Sequence, residues 1–550
     1  MNLTVTATIF LLFYQNKNVK KILSFILCGF ITANMFAADD QQMRKLLMVQ
    51  RIIENFYVDS IDSEKMTEEG IRAMLHTLDP HSTYSDREET KELTTPLNGN
   101  FSGVGIQFNM LNDTLYIIQT IPGGPSEKVG IVAGDRIIAA GDSIISGVKR
   151  KTNSVMNILR GPKGSEIDLK ILRKDTPEPI TFRVKRDDIP VYSVDASFMI
   201  NDSTGFIRLT RFSESTAKEM KKAILDLKAE GMKNLILDLE GNGGGYLNAA
   251  VDVASMFLNK HDNIVSTKSL YRGKDSRMDA SGSTIMPDGR LVITVDQFSA
   301  SAAEILAGAI QDHDRGVIVG RRTFGKGLVQ QPFPLPDGSM VRLTVSRYYT
   351  PSGRLIQKPY TNGESENYDM DLYNRIKNGE LSSADSIHFD ESLKTYTLRN
   401  HRTVYGGGGI MPDSFVAIDT TSYSPYYRDL VAKGIPNKYA ITYVDEHRKE
   451  LKKNYTSEKK FIEEFTVSDK MLSDFVALGE QDGVTFSETG FEKSKNLMAT
   501  VVKGLIARDI FNNGSYYHVV NSLNPIYREA LEIITSPQTY RNLLHEPQNQ

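Results

Sequence analysis

Ser301 and Lys326 are the residues whose types and spacing suggest covalent chemistry. An unassisted serine hydroxyl is a weak nucleophile at neutral pH, so a base must take its proton. A lysine serves if it is held neutral. Bringing its pKa from about 10.4 to near neutrality takes roughly 4 kcal/mol, which removal from water supplies. Lys326 lies in Phe324-Gly325-Lys326-Gly327, where glycines let neighbouring backbone close around the amine. Gln330 follows and can hydrogen-bond the amine or the serine hydroxyl. Each residue also has a blander reading. Ser301-Ala-Ala-Glu304 is a capping box, in which serine satisfies helix N–H groups without chemistry. Lys326 reads equally as a surface lysine on a glycine turn. A Ser–His pair is a further alternative, because His313 lies in Asp312-His313-Asp314-Arg315. On a helix beginning at Ser301, His313 stands about 18 Å away at 1.5 Å per residue. That is out of the serine's reach, and Asp312 shares the geometry. Backbone N–H groups at a helix N-terminus stabilise developing negative charge. Ala302 would supply one oxyanion donor, and Gly244, in the glycine turn after Leu239, the second.

The elements that must position these residues are strands alternating with helices. An apolar strand over 290–295 runs into the Ser299–Ser301 turn, a helix over 302–312 and a strand over 316–320. Upstream, a strand at 205–209, an amphipathic helix over 213–230 and a buried-type strand over 234–239 lead to Glu240-Gly-Asn-Gly-Gly-Gly-Tyr246 and a helix over 247–258. This pattern predicts an α/β layer with a largely parallel sheet. Ligands in such folds sit at the carboxyl ends of strands, where both the glycine turn and the Ser301 turn fall.

At 550 residues the chain needs several domains. Its 40% apolar and 24% charged residues are those of a soluble globular protein, and a net charge of −3 gives no basic field for nucleic acid. Cys28 is the single cysteine. It lies in the N-terminal apolar segment, so neither disulfides nor thiolate metal sites are expected in the body. No metal or cofactor is expected. Lys17, Lys20 and Lys21 precede an apolar run over 22–38 that ends in small residues. Residues 1–38 therefore read as a cleaved signal peptide, or, with the earlier apolar patch over 3–14, as a membrane anchor. Lipidation of Cys28 is disfavoured by the bulky Ile26 and Leu27. Export to the periplasm follows from either main reading.

Residues 39–98 read as a helical segment with one apolar face (Leu46, Leu47, Val49, Ile52, Ile53, Phe56) that stops at Asp79-Pro80. It is too small for its own core, so it should pack on another domain or a second subunit. His81 is read as a turn histidine. Residues 99–188 carry short β-type runs, glycine turns and a helix over 152–159, an order that resembles a PDZ domain. Gly103, Val104, Gly105 and Ile106 stand where such a domain binds a peptide carboxylate. Two glycines there let N–H groups turn inward as an anion nest, beside an edge that can accept a peptide strand. Residues 189–417 form the α/β core, with a polar insert over 359–405. The helical tail over 418–550 shows no chemistry.

The motifs occur in an order that resembles the C-terminal processing, or tail-specific, peptidases from 41 to 413. They are Leu78-Asp-Pro-His-Ser, the PDZ turns, Asp238-Leu-x-x-Asn242-x-Gly-Gly, Ser299-Ala-Ser-Ala-x-Glu304, Thr323-Phe-Gly-Lys-Gly-x-x-Gln330, Tyr349-Thr-Pro-Ser-Gly353 and Gly409-Ile-x-Pro-Asp413. The resemblance implies a crotonase-like core, a PDZ domain that takes the substrate's C-terminus, and a Ser–Lys endopeptidase. It assigns Ser301 as nucleophile, Lys326 as base and Gln330 in support. It also nominates Asp312 for a relay, against the helix geometry. Two positions depart from the family pattern: Glu240 replaces an arginine, and Phe298 replaces a glycine. The rival expectations are a catalytically degenerate peptide- or ligand-binding relative and a Ser–His esterase, which would want a Gly-x-Ser-x-Gly elbow. Association through the terminal helices into a homo-oligomer is a further expectation.

Overall fold

The computed structural model describes residues 40–545 apart from 175 and 271–274. The signal or anchor readings and Cys28 lie outside the described residues. The chain divides into two compact units, Met1–Met74 and Leu75–Gln550. The first holds α1 (Asp40–Phe56) and most of α2 (Ser63–His76). Leu46, Leu47, Ile52 and Phe56 of α1 are all exposed. Among the described residues, no helix is long and apolar enough to cross a membrane.

The second unit opens at the turn around Asp79-Pro80, followed by a short strand, β1 (Thr83–Ser85). An antiparallel sheet comes next, in the order β2 (Ile106–Leu111), β3 (Thr114–Thr120), β4 (Arg136–Ala140), β5 (Glu166–Leu172) and β6 (Ile180–Lys185). Helix α3 (Thr152–Leu159) precedes β5. Alternation along β5 turns Ile167, Leu169 and Ile171 inward, onto a core with Leu115, Ile137, Val155 and Leu159. Among the described residues strand β2 has one neighbour only, so its other edge keeps free backbone groups.

The chain then runs through β7 (Val194–Asn201), β8 (Thr204–Leu209), α4 (Thr216–Ala229), β9 (Asn234–Asp238), α5 (Leu247–Ala254), β10 (Asn263–Lys268), β11 (Ser276–Asp279), β12 (Leu291–Val295), α6 (Ala302–Asp312), β13 (Val317–Gly320), β14 (Leu328–Pro334) and β15 (Met340–Tyr349). After the polar insert comes β16 (Ser414–Phe415). The main sheet has the order β7-β8-β9-β12-β13-β16. Only the β7–β8 pair is antiparallel. Strands β9 and β12 are buried throughout, as both faces are covered. Helices α4, α5 and α6 pack one face. A smaller sheet carries β1, β15, β10 and β11, with β14 paired to β15.

The other face of the main sheet is covered by the last two helices, α7 (Pro525–Thr535) and α8 (Pro537–Leu544). Ile526, Ala530, Ile533 and Ile534 pack on Ile236, Val292, Val317 and Val319. A buried isoleucine contributes about 1.5–3 kcal/mol, so this end of the tail is a layer of the α/β core. The rest of the tail forms its own helical core over 426–519. It also holds the β2–β6 domain: Ile441 packs on Leu111 and Ile118, and Arg136 pairs with Asp445 at 2.6 Å.

Candidate active site

The carboxyl ends of β9 and β12 meet at the site. Past β12, Asp296 Oδ1 accepts the N–H groups of Phe298 and Ser299, each at 3.0 Å. The Ser299 hydroxyl donates to the Leu239 carbonyl at 2.8 Å, which ties this loop to the end of β9. The chain then enters α6 through Ser301, whose φ of 56° and ψ of −114° are rare for a residue with a side chain. Such backbone costs about 1–3 kcal/mol and persists only where its surroundings enforce it.

Glu304 enforces it. Its fully buried carboxylate takes the Ser301 N–H at 2.8 Å and the Lys326 N–H at 2.9 Å, both on Oε2. Oε1 takes the Gly325 N–H at 2.7 Å and the Thr323 hydroxyl at 2.5 Å. Burial pushes this carboxyl up to about 6, while the four hydrogen bonds pull it down. The Phe324 N–H adds a link to the Ser299 carbonyl at 3.0 Å, and the Tyr348 hydroxyl lies against the carbonyls of Ser301 and Lys326. Nucleophile and base backbones are thus fastened to one another.

Ser301, Ala302, Gly244, Lys326 and Gln330 line one cleft of about 510 Å³. Burial brings the Lys326 amine down to about 8, with the Arg342 guanidinium lowering it further and Glu304 and Asp79 opposing. Lys326 Nζ donates to Gln330 Oε1 at 2.9 Å. Among the described residues no hydrogen bond joins the Ser301 and Lys326 side chains, so the amine is held beside the cleft by Gln330 rather than on the serine.

Two expectations are corrected. Asp312 sits at the far end of α6 and does not line the cleft. Its carboxylate pairs with Arg354 at 2.6 Å and caps the Ser352 N–H at 2.9 Å, a structural arrangement. Gly244 lies at the site, but its N–H donates to Asn242 Oδ1 at 2.9 Å and is not offered to an oxyanion. Its contribution is steric. With φ at +99°, a Cβ there would meet the Ala300 carbonyl at 2.8 Å and the Ala302 nitrogen at 2.9 Å. Only glycine lets the turn lie this close to the serine. The N–H groups of Gly243, Gly245 and Ala302 take no partner among the described residues and line the same cleft. His313 is turned away, with Nε2 on the Asn263 carbonyl at 2.7 Å.

In the β2–β6 domain the Val104 carbonyl accepts from the Ser126 N–H and hydroxyl, and the Gly105 carbonyl accepts from Ile121. The Val104 and Gly105 N–H groups take no partner among the described residues. Gly105 has φ of +75°, Gly103 ends the strand before it and Ile106 begins β2. This is a loop of free donors beside an open strand edge.

Family models match this chain as peptidase family S41 over 203–364, a PDZ domain over 102–185 and the N-terminal domain of the activating protease CtpB over 30–90. A carboxy-terminal-processing protease of Bartonella bacilliformis is 34% identical over 354 residues, 62% of this chain and 80% of that one. The chain belongs to the carboxy-terminal processing protease family. The carboxy-terminal processing protease CtpB of Bacillus subtilis is 35% identical, over 60% of this chain and 68% of its own. Among solved structures, the photosystem II D1 C-terminal processing protease is 28% identical, covering 56% of this chain and 89% of its own, with a TM-score of 0.31. Residues 426–512 match a family of unknown function. This carboxy-terminal processing protease therefore combines an S41 serine peptidase core, a PDZ domain and helical parts at both ends.

Glu240, where the family pattern has arginine, is half-buried and accepts from Asn524 Nδ2 of the tail at 2.8 Å. A guanidinium reaches this turn nonetheless. Arg208 of β8 pairs with Asp238 and donates to the Glu240 carbonyl at 3.0 Å. Phe298 is 51% exposed at the rim of the serine loop. Residue patterns mark Glu304 as half of a capping box and as the end of one motif. Its hold on Lys326 crosses from α6 to another loop, which no local signal reports.

Proposed function

We propose that this protease is an exported Ser–Lys endopeptidase that takes the free C-terminus of a protein substrate in its PDZ domain. The observation that carries the reading is the shared Glu304 oxygen, which fastens Ser301 and Lys326 to one cleft. The neutral Lys326 amine takes the Ser301 hydroxyl proton as Oγ bonds to the substrate's carbonyl carbon. The oxyanion is met by the Ala302 N–H and the glycine turn. The resulting ammonium gives its proton to the leaving amine, the peptide C–N bond breaks, and an ester to Ser301 remains. Water attacks that ester by the same proton route, releasing the acid and restoring the serine. Gln330 Oε1 stabilises the lysine in its charged form and holds it while it waits. The Val104 and Gly105 N–H groups take the substrate carboxylate, and the edge of β2 takes its last residues as an added strand.

A binding-only relative is not favoured, because Ser301, Lys326 and Gln330 all line the cleft. Cleavage of an unfolded protein with an apolar free C-terminus is the test. The full chain is expected to cut it, with Ser301→Ala and Lys326→Ala inactive. Equal cleavage by Lys326→Ala would remove the assigned base.

A further inference from the structure

Gln330 has a second partner that lies far from it in sequence. Its Nε2 donates to the backbone carbonyl of His81. A carbonyl only accepts, so this bond fixes which end of the Gln330 amide is which. The oxygen must then face Lys326, where it accepts one N–H of the amine and leaves the nitrogen lone pair free for a proton.

The His81 carbonyl is itself held by a turn. Asp79 Oδ1 accepts the His81 N–H at 2.9 Å and the Ser82 N–H at 3.0 Å, and Oδ2 accepts the Ser82 hydroxyl at 2.6 Å. The turn is pinned to β15, because Thr344 Oγ1 donates to Asp79 at 2.9 Å and the Thr344 N–H donates to Ser82 Oγ at 3.1 Å. On its other side, His81 Nε2 meets the Tyr368 hydroxyl of the polar insert at 2.8 Å. Asp79 and Ser82 are buried. A dedicated carboxylate, two strand contacts and a tyrosine thus fix one carbonyl oxygen, whose visible use is to orient Gln330.

We propose that Asp79 is a positioning residue for the general base, acting through the His81 carbonyl and the Gln330 amide on Lys326. This rests on the reading of Lys326 as the base. Three charged groups face that amine: Arg342 from β15, Glu304 from α6 and Asp79 from the turn. Asp79 therefore contributes a charge as well as a scaffold, and two substitutions separate them. Asp79→Ala removes both. Asp79→Asn keeps an oxygen for the His81 and Ser82 N–H groups and removes the charge.

The experiment uses the full chain and a fluorophosphonate probe, which reports Ser301 reactivity without the PDZ domain, followed across pH. Kinetics on an unfolded protein substrate run alongside. For Asp79→Ala the labelling rate and kcat are expected to fall about 10- to 100-fold, the scale of a displaced reacting group, with KM little changed. Asp79→Asn is expected to keep most of the rate, with the acid limb moved to lower pH. A wild-type rate and midpoint in Asp79→Ala would overturn the proposal. If circular dichroism shows that variant unfolded, Asp79→Asn decides, and an unmoved limb overturns it. Lys326→Ala distinguishes the two levels. Wild-type labelling there removes the base assignment itself, whereas an inert Lys326→Ala beside a wild-type Asp79→Ala removes only the turn's role.

Discussion

Glu304 accepts the Ser301 backbone N–H at 2.8 Å from within the helix that Ser301 begins. The same oxygen carries the Lys326 N–H, and the Lys326 and Arg375 charges act on this carboxylate without a direct ion pair among the described residues. A buried carboxylate without a direct ion pair is costly, and here four donors compensate. Glu304→Gln keeps one acceptor oxygen and turns an NH₂ toward backbone N–H groups. Leaving buried donors unpaired costs about 1–3 kcal/mol each, and a small shift between the reacting groups costs about 100-fold in rate. The expected outcome is a folded, less stable protein with kcat lowered by that order, measured by thermal denaturation and peptidase kinetics. Wild-type kcat would show that the clamp is not needed.

The pH–rate profile reads the base. Lys326 must be neutral to accept a proton, and its pKa is brought down to about 8. Activity is therefore lost as pH falls through that value and complete above it. The expected kcat/KM has an acid limb with a midpoint near pH 8. Arg342, whose Nε has no hydrogen-bond partner among the described residues, helps hold the amine neutral. Arg342→Gln removes that cation, so the limb should move to higher pH while the alkaline plateau survives. A limb that stays in place would mean the Arg342 charge is screened by water in the cleft.

Much of this site is legible in the sequence, because Ser301, Lys326 and Gln330 lie in short motifs whose residue types name the chemistry. Their local contexts also forecast the strands and helices around them. What sequence does not carry is direction. Gly244 reads as an oxyanion donor from its place after β9, yet the Asn242 side chain takes its N–H. Asp312 reads as a relay member by resemblance, yet α6 carries it to the opposite end, against Arg354. The Gln330–His81 bond spans two distant segments and has no local mark. Ile526, Ala530, Ile533 and Ile534 announce an amphipathic helix, but not that the sheet of the protease core is what they cover.

Peptide capture is separable from chemistry at Gly105. Its φ of +75° disfavours any side chain, and a Cβ would meet Ile189 Cδ1 and Pro125 Cδ at 3.0 Å. Left-handed backbone at a non-glycine residue costs about 1–2 kcal/mol. Gly105→Ala is expected to turn the Val104–Ile106 donors out of line. KM for a substrate with a free C-terminus should rise several-fold, and fluorophosphonate labelling of Ser301 should stay unchanged. Calorimetry with a short apolar peptide bearing a free carboxylate checks the binding directly. Unaltered affinity in the variant would remove this loop as the carboxylate site.

Glu240 makes stability depend on pH in a stated direction. Burial, with Asp238 close by, pushes its carboxyl up to about 8 from 4.5. A group raised on folding binds its proton more tightly in the native state. Its contribution is fully present below pH 4.5 and is lost as pH rises through 8. Gln at this position is neutral at every pH and keeps an oxygen for the Asn524 amide. At pH 4, where the carboxyl is protonated in both states, Glu240→Gln and the parent should melt together. At pH 9 the variant should melt several degrees higher, because native wild-type protein must then hold a half-buried anion beside Asp238. Equal melting temperatures at pH 9 would show that Arg208 fully compensates the Glu240 charge. Since this side chain joins the glycine turn to the tail through Asn524, activity measured on the same samples reports whether that junction also supports the oxyanion turn.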